Sequence, residues 1–158
     1  MGFVESIKTC LSKYFVFSGR ATRSEYWWFH LFYVLTSLLT LSLDVYLIFD
    51  GSWKETLDLE WGGPFEKIAF LLLIIPSTAV AFRRLHDVNI SGWWVGGLFI
   101  FAITTGFLWG MIEDLFPDLL GLIFLLFAVL AGYIILLFYW MIKKSDKSSN
   151  KYAAKPAK

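Results

Sequence analysis

One run of 24 residues near the C-terminus contains no charged side chain: LLGLIFLLFAVLAGYIILLFYWMI, Leu119–Ile142. At ~1.5 Å of rise per residue, a helix of this length crosses the ~30 Å hydrocarbon core of a bilayer. Uncharged runs this long are typical of transmembrane helices rather than of helices in a soluble core. The sequence therefore predicts that this segment, residues 119–142, spans a membrane.

Three more segments have the length and apolar character of membrane spans, and they cover residues 27–49, 65–82 and 93–112. Composition agrees, because 58% of the residues are hydrophobic and 17% are charged, against ~25% charged in soluble domains. Pro76 should kink the second span and leave the carbonyl of Leu72 without its helical hydrogen bond. Asp44, near the end of the first span, should reach the interface. We predict an all-α membrane protein, a four-transmembrane-helix bundle within residues 18–144.

The third and fourth spans carry small residues at a spacing of four. Gly106 and Gly110 form one such pair, and Ala128 and Gly132 form another. Small residues at this spacing let membrane helices approach closely. Because only a short turn separates the two spans, we predict that they pack as an antiparallel pair.

Both ends of the chain lie outside the predicted spans. Apolar residues recur at helical spacing from Phe3 to Phe15, and polar residues fill the other face. This pattern predicts that residues 1–17 contain an amphipathic helix lying in the membrane interface. The lysine-rich composition of residues 145–158 predicts a disordered tail. Residues 83–91 should form a short polar loop between the second and third spans.

Lysine and arginine are distributed unevenly between the two sides of the predicted spans. The N-terminal segment, the 83–91 loop and the tail hold 12 of the 14 basic residues, whereas residues 50–67 and 113–118 hold eight of the 13 acidic ones. Basic residues accumulate in cytoplasmic loops of membrane proteins. The pattern therefore predicts that both termini are cytoplasmic.

Two segments on the predicted cytoplasmic side are alike: FSGRATRSEYWW, residues 17–28, and FRRLHDVNISGWW, residues 82–94. Interfacial anchoring explains their arginines and tryptophans, but it does not explain Glu25 or Asp87. We predict that Glu25 pairs with Arg83 or Arg84, and that Asp87 or His86 engages Arg20 or Arg23. The candidate site residues are Arg20, Arg23, Glu25, Trp27, Arg83, Arg84, His86, Asp87, Ser91 and Trp93.

The two motifs GRATRSEYWW and RRLHDVNISGWW, in this order, resemble the bacterial inner-membrane family called domain of unknown function 805 (DUF805). The resemblance covers about Tyr14 to Lys144. The positions that match the family are Gly19, Arg20, Arg23, Glu25, Trp27, Arg83, Arg84, Leu85, His86, Asp87, Ser91, Gly92 and Trp93. The resemblance implies a small multi-pass protein of the bacterial inner membrane, and it supplies no established activity.

Three classes of function remain open at this stage. We favour a binding or scaffold role, in which the cluster engages anionic lipid headgroups, a protein partner or a second copy of the chain. Transport by an oligomer is an alternative, although polar groups at the midplane of the spans are few. An interfacial enzyme would use His86 as a base oriented by Asp87, without a recognisable nucleophile. We expect no cofactor, no metal site and no nucleic-acid partner.

Overall fold

A computed structural model of the chain describes residues 1–52, 63–115, 120–146 and 150–152. Over these residues the elements are helical: α1 Phe3–Ser12, α2 Arg23–Leu43, α3 Pro64–Asp87, α4 Trp93–Leu115 and α5 Leu120–Ile142. A π-helical turn, Asp44–Ile48, continues α2. Four of the helices, α2 to α5, are long and apolar enough to cross a membrane. The prediction of an all-α protein with four transmembrane helices is confirmed.

The chain divides into two compact units. The first contains residues 1–17 and 21–80, and the second contains residues 18–20 and 81–158. Helix α3 contributes to both, because its last residues, 81–87, belong to the second unit. Each unit is described below by itself.

In the first unit, α1 packs against the beginning of α2. The rings of Phe3 and Trp28 meet edge to face at 5.9 Å, and Ser6 and Cys10 are fully buried. Thr22 caps α2, because its side-chain oxygen accepts a hydrogen bond from the backbone N–H of Glu25 at 3.2 Å. Helix α1 ends at Ser12. Tyr14 and Phe15, which the predicted helical spacing included, therefore lie outside the helix.

Asp44 caps the beginning of α3 within the same unit. Its two carboxylate oxygens accept hydrogen bonds from the backbone N–H groups of Phe65 and Glu66, at 3.0 and 2.9 Å. The first N–H groups of a helix lack internal partners and attract negative charge. The structure buries Asp44 completely, and it places the carboxylate at the first turn of a membrane-spanning helix; that this side chain lies near the interface stays a prediction.

Helix α3 continues through Pro76, and the carbonyl that Pro76 leaves free finds a distant partner. The hydroxyl of Tyr14 donates a hydrogen bond to the Leu72 carbonyl at 2.5 Å. Thr78, one of the nearby hydroxyl residues, bonds to the Ile74 carbonyl instead. The N-terminal segment thus satisfies a polar group inside a membrane-spanning helix.

The second unit contains the end of α3, which extends five residues beyond the predicted limit of that span. Arg83, Arg84 and Leu85 are buried in helical structure, so the prediction of a loop starting at residue 83 is wrong. The helix ends where Asn89 adopts a left-handed φ of 62°. The N–H of Ile90 then bonds back to the Leu85 carbonyl at 2.9 Å, as in a Schellman C-cap. Residues 83–88 contain no glycine or proline that would end the helix, and Asn89, directly after them, is the first residue of this segment with a left-handed backbone conformation.

Helices α4 and α5 pack as the predicted antiparallel pair, but aromatic rings form the contact. Trp94 meets Tyr133 and Trp140 at ring distances of 5.5 and 5.1 Å, and Trp109 meets Phe127 at 5.7 Å. The Tyr133 hydroxyl donates to the Trp94 carbonyl at 2.7 Å. A Cβ added at Gly106, Gly110 or Gly132 would meet nothing within 4 Å. Among the described side chains, Gly106, Gly110 and Gly132 therefore do not make the close approach that their spacing predicts, and the role of Ala128 stays a prediction.

Candidate functional site

The Asp87 carboxylate is the centre of a polar cluster in the second unit. One oxygen, Oδ1, lies 2.8 Å from Nη2 of Arg20 and 2.9 Å from its Nε. The other oxygen, Oδ2, lies 2.6 Å from Nη1 of Arg84 and also accepts from the Ser145 hydroxyl. Asp87 is almost fully buried, whereas the Arg20 side chain is 33% exposed. The predicted pairing of Asp87 with Arg20 is confirmed.

Arg84 connects the end of α3 to the end of α5. Its Nε donates to the Met141 carbonyl at 3.1 Å, and its Nη2 donates to the Lys143 carbonyl. The last carbonyls of a helix lack internal donors, and a cation is favourable there. Because Arg84 is fully buried, each of its nitrogens needs the partner it has. The two helix C-termini therefore lie together in this unit.

The segment after α5 packs onto the same end of α3. The side-chain amide of Asn150 donates to the His86 and Asp87 carbonyls at 2.8 and 3.3 Å, and the backbone N–H of Asp146 donates to the Asp87 carbonyl at 3.0 Å. The prediction of disorder from residue 145 onward does not hold for residues 145–146 and 150–152. Residues 147–149 and 153–158 lie outside the described part of the chain.

His86 lies at the edge of this cluster, and its ring contacts Gly19 and Tyr152. Its Nδ1 is 3.2 Å from the Gly19 carbonyl, and its ring stacks on Tyr152 with a centroid distance of 3.8 Å. Within the described residues, the carboxylate of Asp87 bonds to Arg20, Arg84 and Ser145. The geometry does not form a dyad in which Asp87 orients the His86 imidazole.

Three segments that are far apart in the sequence meet in this cluster. Arg20 precedes α2, Asp87 ends α3, and Ser145 follows α5. Four spans with both chain ends on one side require these three segments to lie at the same membrane face. The contacts agree with that alternation.

The acidic residue of the first motif, Glu25, belongs to the first unit. It is 4% exposed, and its Oε1 lies 3.9 Å from the Cys10 sulfur. Arg83 and Arg84, its predicted partners, are buried in the second unit. The pairing of Glu25 with one of them stays a prediction, which a charge-swapped double variant of Glu25 and Arg84 would refute if it recovered no stability.

The remaining predicted residues lie at the surface or at helix ends. Arg23 begins α2 and is exposed. Trp27 contacts Tyr26 at a ring distance of 5.2 Å. The Ser91 hydroxyl accepts from the Trp93 N–H at 3.4 Å, at the start of α4. Trp93 contacts Phe82 at 6.0 Å but is 75% exposed.

Sequence reasoning did not identify four hydrogen-bonding roles: those of Tyr14 and Asp44 in the first unit, and those of Ser145 and Asn150 at the cluster in the second. Of these, Asp44 alone had a signal, because Pro64 at a helix start follows a glycine that leaves room for a capping side chain. Ser145 and Asn150 bond to a distant carboxylate and to backbone carbonyls, which leave no local pattern. For Tyr14, Pro76 marked the free Leu72 carbonyl but not its donor. Among the described residues, no group of three or more His, Cys, Asp or Glu side chains could hold a metal ion.

Comparison with known proteins places the chain in a family. Residues 14–154 match the family described as "Protein of unknown function (DUF805)". Over 84 residues, 53% of the chain, it is 37% identical to "Inner membrane protein YhaH" of Escherichia coli K12, covering 64% of that protein. It is 36% identical over 85 residues to "Inner membrane protein YhaI" of the same strain, covering 62% of it. The matches thus span less than two thirds of either relative.

No solved structure matches the chain. The family match, in contrast, extends over most of its length and includes both motifs of the polar cluster. With four apolar helices and inner-membrane relatives, this chain is an integral inner-membrane protein that belongs to the DUF805 family.

Proposed function

We propose that this protein is a binding scaffold of the inner membrane, with both termini cytoplasmic, and that the basic surface around the Asp87 cluster engages anionic lipid headgroups. The observation that carries the proposal is an excess of positive charge at this end of the second unit. The described residues there include six arginines and lysines and two aspartates: Arg20, Arg83, Arg84, Lys143, Lys144, Lys151, Asp87 and Asp146.

The excess charge is available at the surface. Asp87 is engaged by Arg20 and Arg84, whereas Lys143, Lys144 and Lys151 are exposed. Basic residues near an anionic leaflet contribute about 1 kcal/mol each to lipid attraction. The exposed Trp93 ring belongs to the side-chain type that is enriched at headgroup level. Together these residues suit a headgroup surface better than a catalytic centre.

The other functions have less support in the described residues. A transporter places ionisable groups on a path through the spans, but the buried Asp44 is engaged in capping α3. An interfacial enzyme would need a base with an orienting acid, but Asp87 does not bond to His86. The binding role therefore remains the one that the geometry supports best.

The test is the binding of phosphatidylglycerol to the full chain, measured by native mass spectrometry after exchange from phosphatidylcholine nanodiscs. The double variant Lys143→Gln/Lys144→Gln should bind phosphatidylglycerol about ten- to thirty-fold more weakly, since each lysine contributes about 1 kcal/mol. The charge-matched control is Lys54→Gln/Lys67→Gln, at the two lysines predicted to lie on the opposite side. An equal effect of the two double variants, or unchanged binding in the first, would show that this surface is not a headgroup site.

A further inference from the structure

The segment that follows α1 is held against the middle of a membrane-spanning helix. After α1 ends at Ser12, a turn is closed by a hydrogen bond from the Val16 N–H to the Lys13 carbonyl at 3.0 Å. Tyr14, inside this turn, donates its hydroxyl proton to the Leu72 carbonyl at 2.5 Å. The Tyr14 hydroxyl therefore lies at the level of Leu72, and the turn lies within the length of one tyrosine side chain of it.

Leu72 lies well inside the hydrocarbon region. It follows Pro64, the first residue of α3, by eight residues, which is about 12 Å along the helix axis. A bilayer core is ~30 Å thick, so a point at this distance from the helix start is far from either headgroup layer. Leu71 and Leu72 are 66% and 59% exposed, and in a membrane span such a surface faces acyl chains.

The apolar side chains next to Tyr14 lie beside the same lipid-facing surface of α3. Phe15 is 70% exposed and Val16 is 41% exposed, although both are strongly apolar. Exposure of these two side chains to water would be unfavourable. Beside the lipid-facing part of α3, however, they can contact acyl chains. We infer that the side chains of Phe15 and Val16 enter the acyl-chain region as a wedge, while the exposed Lys13 and the backbone of the turn stay at the polar boundary.

Helix α1 itself belongs nearer the surface. Its exposed apolar residues, Val4 and Leu11, lie on the same side as Lys8, and a lysine head is kept at the polar boundary. Its other face packs on the first turns of α2, at Glu25 and Trp28. The N-terminal segment therefore lies at two depths. Helix α1 lies in the interface, and the side chains of the following turn reach into the acyl-chain region. The Tyr14 hydroxyl holds that turn, because a free carbonyl in hydrocarbon requires a donor.

The test is depth-dependent fluorescence quenching of the full chain in phosphatidylcholine vesicles. The only native cysteine, Cys10, is first replaced in a Cys10→Ser parent whose unfolding transition is checked. Single substitutions Phe15→Cys, Leu11→Cys, Ile100→Cys and Lys151→Cys then carry an environment-sensitive label. Ile100 is a lipid-facing reference on α4, and Lys151 is a water-facing reference. Quenchers are a nitroxide at the middle of the acyl chain and aqueous iodide.

The Phe15 label should be quenched by the acyl-chain nitroxide nearly as strongly as the Ile100 label, and several-fold less by iodide than the Lys151 label. The Leu11 label should lie between the references. Adding Tyr14→Phe, which removes only the hydroxyl, should make the Phe15 label more accessible to iodide.

A Phe15 label as accessible to iodide as the Lys151 label would overturn the wedge. A label shielded from both quenchers would also overturn it, because it would mean burial against protein. If Tyr14→Phe leaves the depth of the label unchanged, the hydroxyl does not hold the turn. Because the vesicles carry no anionic lipid, these outcomes are independent of the proposed headgroup binding.

Discussion

At the scale of single residues, the burial of Asp87 depends on the donors around it. A buried carboxylate is costly unless it is paired and hydrogen-bonded, and Asp87 has two arginines and a serine hydroxyl as partners. Arg84 is in turn satisfied by the two carbonyls at the end of α5. A buried Asp87 or Arg84 without its partners would destabilise the fold. Paired, these groups join three chain segments at one point.

This arrangement makes Asp87→Asn a test of the cluster. The change keeps the shape of the side chain but leaves the buried Arg84 without its counter-ion, and we expect a loss of about 3–5 kcal/mol in the free energy of unfolding. Unfolding of the purified protein in mixed micelles measures this loss. The matched control is Asp50→Asn, at an exposed position whose φ of 47° asparagine tolerates. Equal stability of the two variants would show that the cluster does not stabilise the fold.

At the scale of helices, both ends of α3 are completed by side chains from other elements. Asp44, in the π-helical turn after α2, supplies acceptors at the first turn, and Asn150 supplies donors at the last. Tyr14 supplies a donor in the middle, where Pro76 leaves a carbonyl free. Side chains outside this span therefore make the hydrogen bonds that its own backbone cannot make.

Gly63 offers a sharp test of the cap at the beginning of α3. A Cβ at this position would overlap the Asp44 carboxyl group, so Gly63→Ala should displace the cap. We expect a destabilisation of about 0.5–2 kcal/mol, the usual effect of losing an N-cap, measured by the same unfolding assay. Gly132→Ala is the control, because its Cβ meets nothing within 4 Å and alanine favours the helix. A Gly63→Ala variant as stable as the control would contradict the role of Asp44.

At the scale of the whole molecule, the orientation of the four spans is the main prediction. Reporter fusions after Asp87 and Lys147 should give cytoplasmic signals, and fusions after Glu55 and Asp114 should give exported signals, because basic residues accumulate in cytoplasmic segments. A pair of reporters active on opposite sides of the membrane measures this directly. An exported signal at Lys147 would contradict both the orientation and the proposed headgroup surface.

The number and place of the membrane spans could be predicted from sequence because they depend on local properties. A bilayer of fixed thickness selects runs of sufficient length and apolar character, and such runs are visible around residues 93–112 and 119–142. The pairing of Asp87 with Arg20 was predictable for a related reason. A buried acid needs a cation, and alternation of the spans limits which cations lie on its side.

Tertiary contacts determined the features that no local pattern contains. Arg84 and the Met141 carbonyl are 57 residues apart, and Tyr14 and the Leu72 carbonyl are 58 apart. Pro76 marks the Leu72 carbonyl as lacking its helical donor, but nothing in the sequence marks Tyr14 as the donor that reaches it, and nothing marks the Met141 carbonyl as the partner of Arg84. The contacts of Asn150 with the end of α3 are of the same kind, and they become visible only once the chain is folded.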